Sequence, residues 1–306
     1  PTDELNHATW ALLLTQAKYK CDVKQSDSLV NIAHDYFMKR DNAQRKALAL
    51  FCKAGLYEEQ DNIEVAINSY LDAVKVSDEI KDYRLKHLIN VRLALMYVRR
   101  NLYDYAIEYC EKANQDALLS GDPFYVTNAY INLGRVYSAQ KEYEKAITFY
   151  DKAIELGKAY NETKALNFAL QEKAGIYILQ NKFNKALSLM KMIEPSQMSF
   201  ASFQILGHLY SKINQTDSAY YYLDKALMVD DVYVLRSAYR ALFNMSKAQK
   251  DYQKNAEYSV KLWKINDSIN KIDRNKARIE MQEKYGQQRG RDEFTHKMRL
   301  KEQRIW

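Results

Sequence analysis

One residue type recurs in fixed phase along this chain. Tyr57, Tyr97, Tyr137 and Tyr177 stand 40 residues apart, and Tyr210 follows after 33. Nine residues after each comes a small side chain: Ala66, Ala106, Ala146, Ala186 and Ala219. Three residues before each comes another: Ala54, Ala94, Gly134, Ala174 and Gly207. The phase has a steric meaning. Positions three or four apart share a helix face, and paired small residues on either side of a polar turn let two antiparallel helices approach closely. In the best-formed unit Tyr137, Tyr143 and Tyr150 fill the space around that contact. Such a pair cannot bury its apolar faces alone, so each unit calls for neighbours of its own kind. The expectation is an all-α solenoid whose core grows along one axis. Only 8 glycines and 3 prolines occur, which suits helices and argues against a sheet fold with many tight turns.

The unit Tyr130-Ile-Asn-Leu133-Gly134-Arg-Val-Tyr137, with Tyr143-Glu-Lys-Ala146-Ile-Thr-Phe-Tyr150 after its turn, resembles the tetratricopeptide pattern W-x2-L-G-x2-Y…A-x3-F. Tyr130 stands for the tryptophan and Tyr150 for the phenylalanine. The resemblance covers roughly residues 45 to 230 and implies a right-handed superhelical solenoid of helical hairpins. The usual repeat is about 34 residues, so the 40-residue steps are a departure. The extra residues fall between Ala73 and Leu93, Ala113 and Leu133, and Ala153 and Lys173. Apolar residues continue there at helical spacing (Val76, Ile80; Ala117, Leu118), which predicts added helical turns rather than loops.

The reading divides the chain into an N-terminal capping hairpin over 1–42, six hairpins over 43–264, and a long C-terminal helix with a basic juxtamembrane-like tail over 265–306. Residues 1 to 8 are expected to fray, with a first helix from Thr9, its cap, to about Lys20, and a second from Ser26 or Asp27. Turns are expected at Asp61-Asn62, Asn101 and Asn214-Gln215. Gly121 ends one helix and Pro123 opens the next. Pro195 cuts the fourth hairpin short. In the sixth, Asn255 falls where the small alanine belongs. After Ile265 the apolar residues Ile269, Ile272 and Ile279 follow a seven-residue period.

No constellation for catalysis appears. His7, His34, His87, His208 and His296 are isolated, and no spacing predicts a metal site or a cofactor. Glu58-Glu59 and Asp230-Asp231 are neighbours in sequence and point about 100° apart on a helix, so they read as solvated charges. The expectation is a protein that is not an enzyme. Of the net charge of +7, residues 271 to 306 carry +5, from 11 Lys and Arg against 6 Asp and Glu. The remainder is nearly neutral, so no direct nucleic-acid contact is expected from the solenoid. Cys21, Cys52 and Cys110 have no C-x-x-C spacing, and Cys110 occupies the place of Tyr150, as a buried small hydrophobe. No apolar run reaches a membrane span of roughly 18 residues. The start at Pro1, without an initiator methionine, reads as a processed or excised fragment.

In the tetratricopeptide family the first helix of each hairpin lines a concave groove. Register then names its inner face: Phe51, Gly55, Glu58 and Glu59; Val91, Leu95, Val98 and Arg99; Asn128, Ile131, Arg135 and Ser138; Gln171, Gly175 and Ile178; Gln204, His208, Ser211 and Lys212. Val91, Leu95, Val98 and Ile131 form an expected apolar strip beside Arg99 and Arg135, a seat for a helix or extended peptide. Repeats that grip chaperone carboxyl termini use Lys and Asn where this chain has Phe51 and Gly55; Asn132 alone resembles an element of that clamp. A looser resemblance concerns Ala11-Leu-Leu-Leu-Thr-Gln-Ala, Ser26-Asp-Ser-Leu-Val-Asn-Ile-Ala and the end from Asn266 through Tyr285 to Trp306. These look like the extracytoplasmic sensor regions of Gram-negative membrane-bound transcriptional regulators. That likeness implies a periplasmic domain, a membrane anchor beyond Trp306 and dimerisation through the C-terminal helix. The alternatives are a cytoplasmic interaction scaffold and a nucleic-acid-associated regulator that uses the basic tail.

Overall fold

A computed structural model describes residues 3–21, 23, 25–271 and 274. Its elements are α1 (Glu4–Lys20), α2 (Asp27–Phe37), α3 (Ala43–Glu59), α4 (Ile63–Ser77), α5 (Tyr83–Arg99), α6 (Tyr103–Ser120), α7 (Pro123–Ala139), α8 (Tyr143–Ala159), α9 (Thr163–Leu179) and α10 (Phe183–Met190). A 3₁₀ turn (Pro195–Gln197) precedes α11 (Phe200–Lys212), α12 (Thr216–Ala226) and α13 (Val232–Ala248). A further helix covers 252–271, and no strand occurs among the described residues. Most of the basic tail lies outside them.

The marker tyrosine has a backbone role that its side chain does not reveal. Each first helix ends on a left-handed residue: Asp61 (φ 62°), Asn101 (57°), Lys141 (66°), Asn181 (56°) and Asn214 (59°). Asn and Asp tolerate that conformation better than other side chains. The next amide then bonds back to the tyrosine carbonyl. Asn62 N–H donates to Tyr57 O (2.9 Å), Leu102 to Tyr97 (2.9 Å), Glu142 to Tyr137 (2.9 Å), Lys182 to Tyr177 (2.8 Å) and Gln215 to Tyr210 (2.9 Å). This six-to-one closure of the Schellman motif gives every hairpin the same turn. It places the two small residues opposite each other.

All five paired alanines are fully buried. At Gly134 the approach is closest: a Cβ there would lie 2.5 Å from the Tyr150 ring. In the last unit the turn repeats, with Lys250 left-handed (φ 59°) and Asp251 N–H donating to Ser246 O at 3.0 Å. Ser246 stands in the tyrosine's place and Asn255 in the alanine's. Asn255 Nδ2 donates to Phe243 O (2.9 Å) and Ser246 Oγ (3.1 Å). A small hydroxyl makes room for an amide, so the close contact survives the exchange.

The long steps are helical turns. α3, α5, α7 and α9 each have 17 residues, against 13 in α11. α10 has 8, ending ahead of Pro195. α1 begins at Glu4, earlier than the Thr9 start read from sequence. Asp3 caps it by accepting from Leu5 N–H (3.0 Å), and Ala8 is buried. Tertiary packing of that face holds the first turn, where propensity alone left it frayed. Cys52 and Cys110 are buried, and desolvation pushes both thiols up to about 12.

Successive odd-numbered helices touch: α1 with α3, α5 with α7, α7 with α9 and α11 with α13. Even-numbered ones make no comparable contact with one another among the described residues. The first helices therefore form the inner, concave layer.

Candidate ligand groove

α3 and α5 come less close than their neighbours in that inner layer. The reason lies at Gly55, which is buried and carries no side chain to fill the space. A Cβ there would meet only Tyr70 Oη, at 3.8 Å. The gap is a cavity of about 480 Å³, closed at one side by Tyr19 of α1 and by Val23. Ion pairs bridge it. Arg92 Nη1 lies 3.2 Å from Glu58 Oε1, and Arg99 pairs with Asp61. Arg92 Nε donates to Tyr19 Oη at 2.6 Å, and Tyr70 Oη donates to Glu58 Oε2 at 2.8 Å. Gln25 N–H donates to Glu59 Oε2 at 3.0 Å, so the loop after α1 is also tied to the rim.

The phenols sense this setting. Burial raises Tyr19, with Arg92 acting against the rise. Burial and then the Glu58 charge hold Tyr70 well above the usual phenol range. Both stay protonated donors or acceptors near neutral pH. Opposed charges in a partly dry site interact more strongly than on an open surface, so the network fixes α1 against α5 across a sequence distance of 73 residues.

A second cavity, about 290 Å³, lies on the other side of Tyr19. Leu48, Phe51, Leu85, Leu88, Phe124 and Tyr125 give it apolar walls, while Lys20, Asp82 and Arg84 stand at its edge. Phe51 packs edge-on against Tyr19 at 4.9 Å. Arg84 and Asp82 are engaged, Arg84 with Asp122 at 3.1 Å and Asp82 by Gln44 Nε2 at 2.6 Å.

Comparison with known proteins fixes the architecture. A tetratricopeptide repeat model matches residues 85–159 and 125–194. Residues 85 to 194 are tetratricopeptide repeats. The chain is 35% identical over 107 residues to the STIP1 homolog of Dictyostelium discoideum, and 26% identical over 168 residues to the regulatory protein RapK of Bacillus subtilis. Those matches use 32% and 54% of this chain and 18% and 44% of the relatives, so the chain spans less than half of either. A Rap protein solved in complex with competence and sporulation factor superposes with a TM-score of 0.60 at 14% identity, over 89% of each chain. That likeness shows the tetratricopeptide fold.

On this tetratricopeptide frame the residues placed by register fall into three groups. Phe51 (2% exposed) and Ile131 (1%) are core side chains, and Val91 (9%) is nearly so. Of the expected apolar strip only Leu95 and Val98 reach the surface. α7 is enclosed by α5, α6, α8 and α9, and that packing turns Ile131 inward. Arg99 lines the larger cavity. The others are spread further along. Arg135 Nε and Nη2 pair with Glu172 Oε1 at 2.8 and 2.7 Å. Asn128 Nδ2 donates to Phe124 O (2.8 Å) within its own helix, and Gln171 Nε2 to Ser202 Oγ (2.9 Å). Gln204 is half-buried and Lys212 exposed. His208 is half-buried and held below the usual imidazole range by burial and by Lys212.

Two residues at the centre of the network were missed by register. Arg92 is three residues before Leu95 and seven before Arg99, so helical spacing alone was enough to find it. Tyr19 carries no such signal, because the capping hairpin lies outside the repeat phase. Among the described residues no group of three or more His, Cys, Asp or Glu is placed to hold a metal ion. No described helix is long and apolar enough to cross a membrane.

Proposed function

We propose that the concave face binds a peptide, or an extended segment of a partner protein, at the α3–α5 end of the groove, without catalysis. The observation that carries this is the open cavity of about 480 Å³ at Gly55, walled by polar groups already held in place by their neighbours. Its size falls in the range of about 300–1,000 Å³ typical of ligand sites. The Rap protein of similar fold was crystallised with competence and sporulation factor, which supports a peptide-sized guest for this groove. Binding here stiffens α3 against α5, and curvature of the stack is the property a guest changes.

The test is hydrogen exchange on the full chain, with and without a peptide selected from a random display library. Protection concentrated in α3, α5 and the end of α1 is expected. Gly55→Arg, which fills the gap, should abolish it while leaving the far-ultraviolet spectrum unchanged. Protection confined to the even-numbered helices would refute the groove reading. For cellular setting, we propose the sensory region of a membrane-anchored regulator, on the strength of the sequence resemblance at both ends. Fractionation of the full-length gene product tests this: recovery in a soluble fraction would refute it.

A further inference from the structure

The two cavities differ in chemistry, and one ring divides them. On one side of Tyr19 the walls are aliphatic and aromatic; on the other stand two guanidinium groups. The polar balance of the larger cavity is uneven. Both oxygens of Glu58 are taken, one by Arg92 and one by Tyr70. Arg92 uses Nε and Nη1, and its Nη2 has no partner among the described residues. Arg99 uses Nη2 on Asp61. A guanidinium has five donors and no acceptor, so what the cavity lacks is acceptors. Arg92 sits over the Tyr19 ring at 5.1 Å, which fixes where its open edge points. Carboxylates match that edge better than any neutral group.

Resting on the groove reading above, we infer that the guest is an extended peptide with an apolar side chain and, within two residues of it, a carboxylate. The apolar side chain enters the 290 Å³ cavity beside Phe51 and Leu88. The carboxylate crosses Tyr19 and pairs with Arg92. An extended chain advances roughly 3.3–3.6 Å per residue, so two residues step over the ring between the two cavities. The carboxylate comes either from an acidic side chain or from the peptide's own terminus.

Blocked tetrapeptides test this on the intact chain by calorimetry up to millimolar concentration. The series is acetyl-Gly-Leu-Gly-Glu-amide, the same peptide with Gln or Lys for Glu, the same with Ala for Leu, and acetyl-Gly-Leu-Gly with a free terminus. The Glu peptide or the free-terminus peptide is expected to bind about tenfold or more tightly than the Gln and Lys forms, as for a charged hydrogen bond. Whichever of the two binds identifies the source of the carboxylate. The Ala form should lose a similar factor, and Leu88→Asp should erase the difference between Leu and Ala. Arg92→Gln should remove the acidic preference with an unchanged circular-dichroism spectrum; Arg92→Lys should restore part of it. A Lys peptide that binds as well as the Glu peptide, or a preference that survives Arg92→Gln, overturns the inference. If none of these peptides binds but a library peptide still protects α3 and α5, the chemistry inferred here is wrong and the groove reading stands. If nothing protects α3 and α5, the groove reading fails with it.

Discussion

The inner face is built twice in the same register, with opposite results. Between α3 and α5, the site two before the marker tyrosine is Gly55, and the site five before the next marker is Arg92. Between α7 and α9 the equivalent residues are Arg135 and Glu172. Arg135 fills its own gap and pairs with Glu172 at 2.7 Å, and the two helices touch. Gly55 fills nothing, so Arg92 finds its carboxylate one turn further on, at Glu58, and a cavity stays open. The same backbone repeat thus gives a sealed seam or a vacant site, according to one side chain.

The comparison can be broken most sharply at the glycines. Gly134→Ala forces a Cβ to within 2.5 Å of the Tyr150 ring and should cost about 1–3 kcal/mol in urea unfolding, as overpacking does. Arg92→Gln leaves Glu58 half-partnered beside a cavity and should cost about 1–3 kcal/mol. Arg135→Gln, at a pair more than a third exposed on both sides (39% and 34%), should cost about 0–1 kcal/mol. Equal costs for the two would mean that the gap does not isolate Arg92 from solvent. Tyr19→Phe removes one hydrogen bond and should cost about 0.5–1.5 kcal/mol, seen as faster exchange in α1. Gly55→Ala meets nothing closer than 3.8 Å and should stabilise by about 0.5–1 kcal/mol through helix propensity.

Between the two regions lies a group that ties stability to pH. His87 is buried against α6 and α7, with Nδ1 2.9 Å from Ala113 O and its ring 5.2 Å from that of Tyr125. Burial, opposed by that backbone contact, lowers its pKa below the ordinary 6.5. A folded-state pKa lowered in this way means that the unfolded chain binds the proton more tightly. The contribution is therefore fully present above about pH 6.5 and is lost as pH falls through the lowered value. Melting temperature should drop between pH 6.5 and 5 in the parent chain and drop less in His87→Gln.

Most of the architecture was legible in the phase of Tyr57, Tyr97, Tyr137, Tyr177 and Tyr210, because close helix packing demands small residues at fixed places. The left-handed turns at Asp61, Asn101 and Asn214 were legible for the same kind of local reason. The start of α1 was not, since Asp3 and Ala8 carry weak local signals and burial decides the matter. The groove was legible only by face. Register put Phe51 and Ile131 on the inner side, and packing then covered them.

The sequence by itself determined the hairpin, its turn and its repetition, since each depends on residues within one or two helical turns of each other. Only the tertiary structure decided which inner positions are open. Openness is the distance between helices some 40 residues apart. It follows from what every neighbour leaves unfilled, as Gly55, Tyr19 and Arg92 do together, and no single position carries that information.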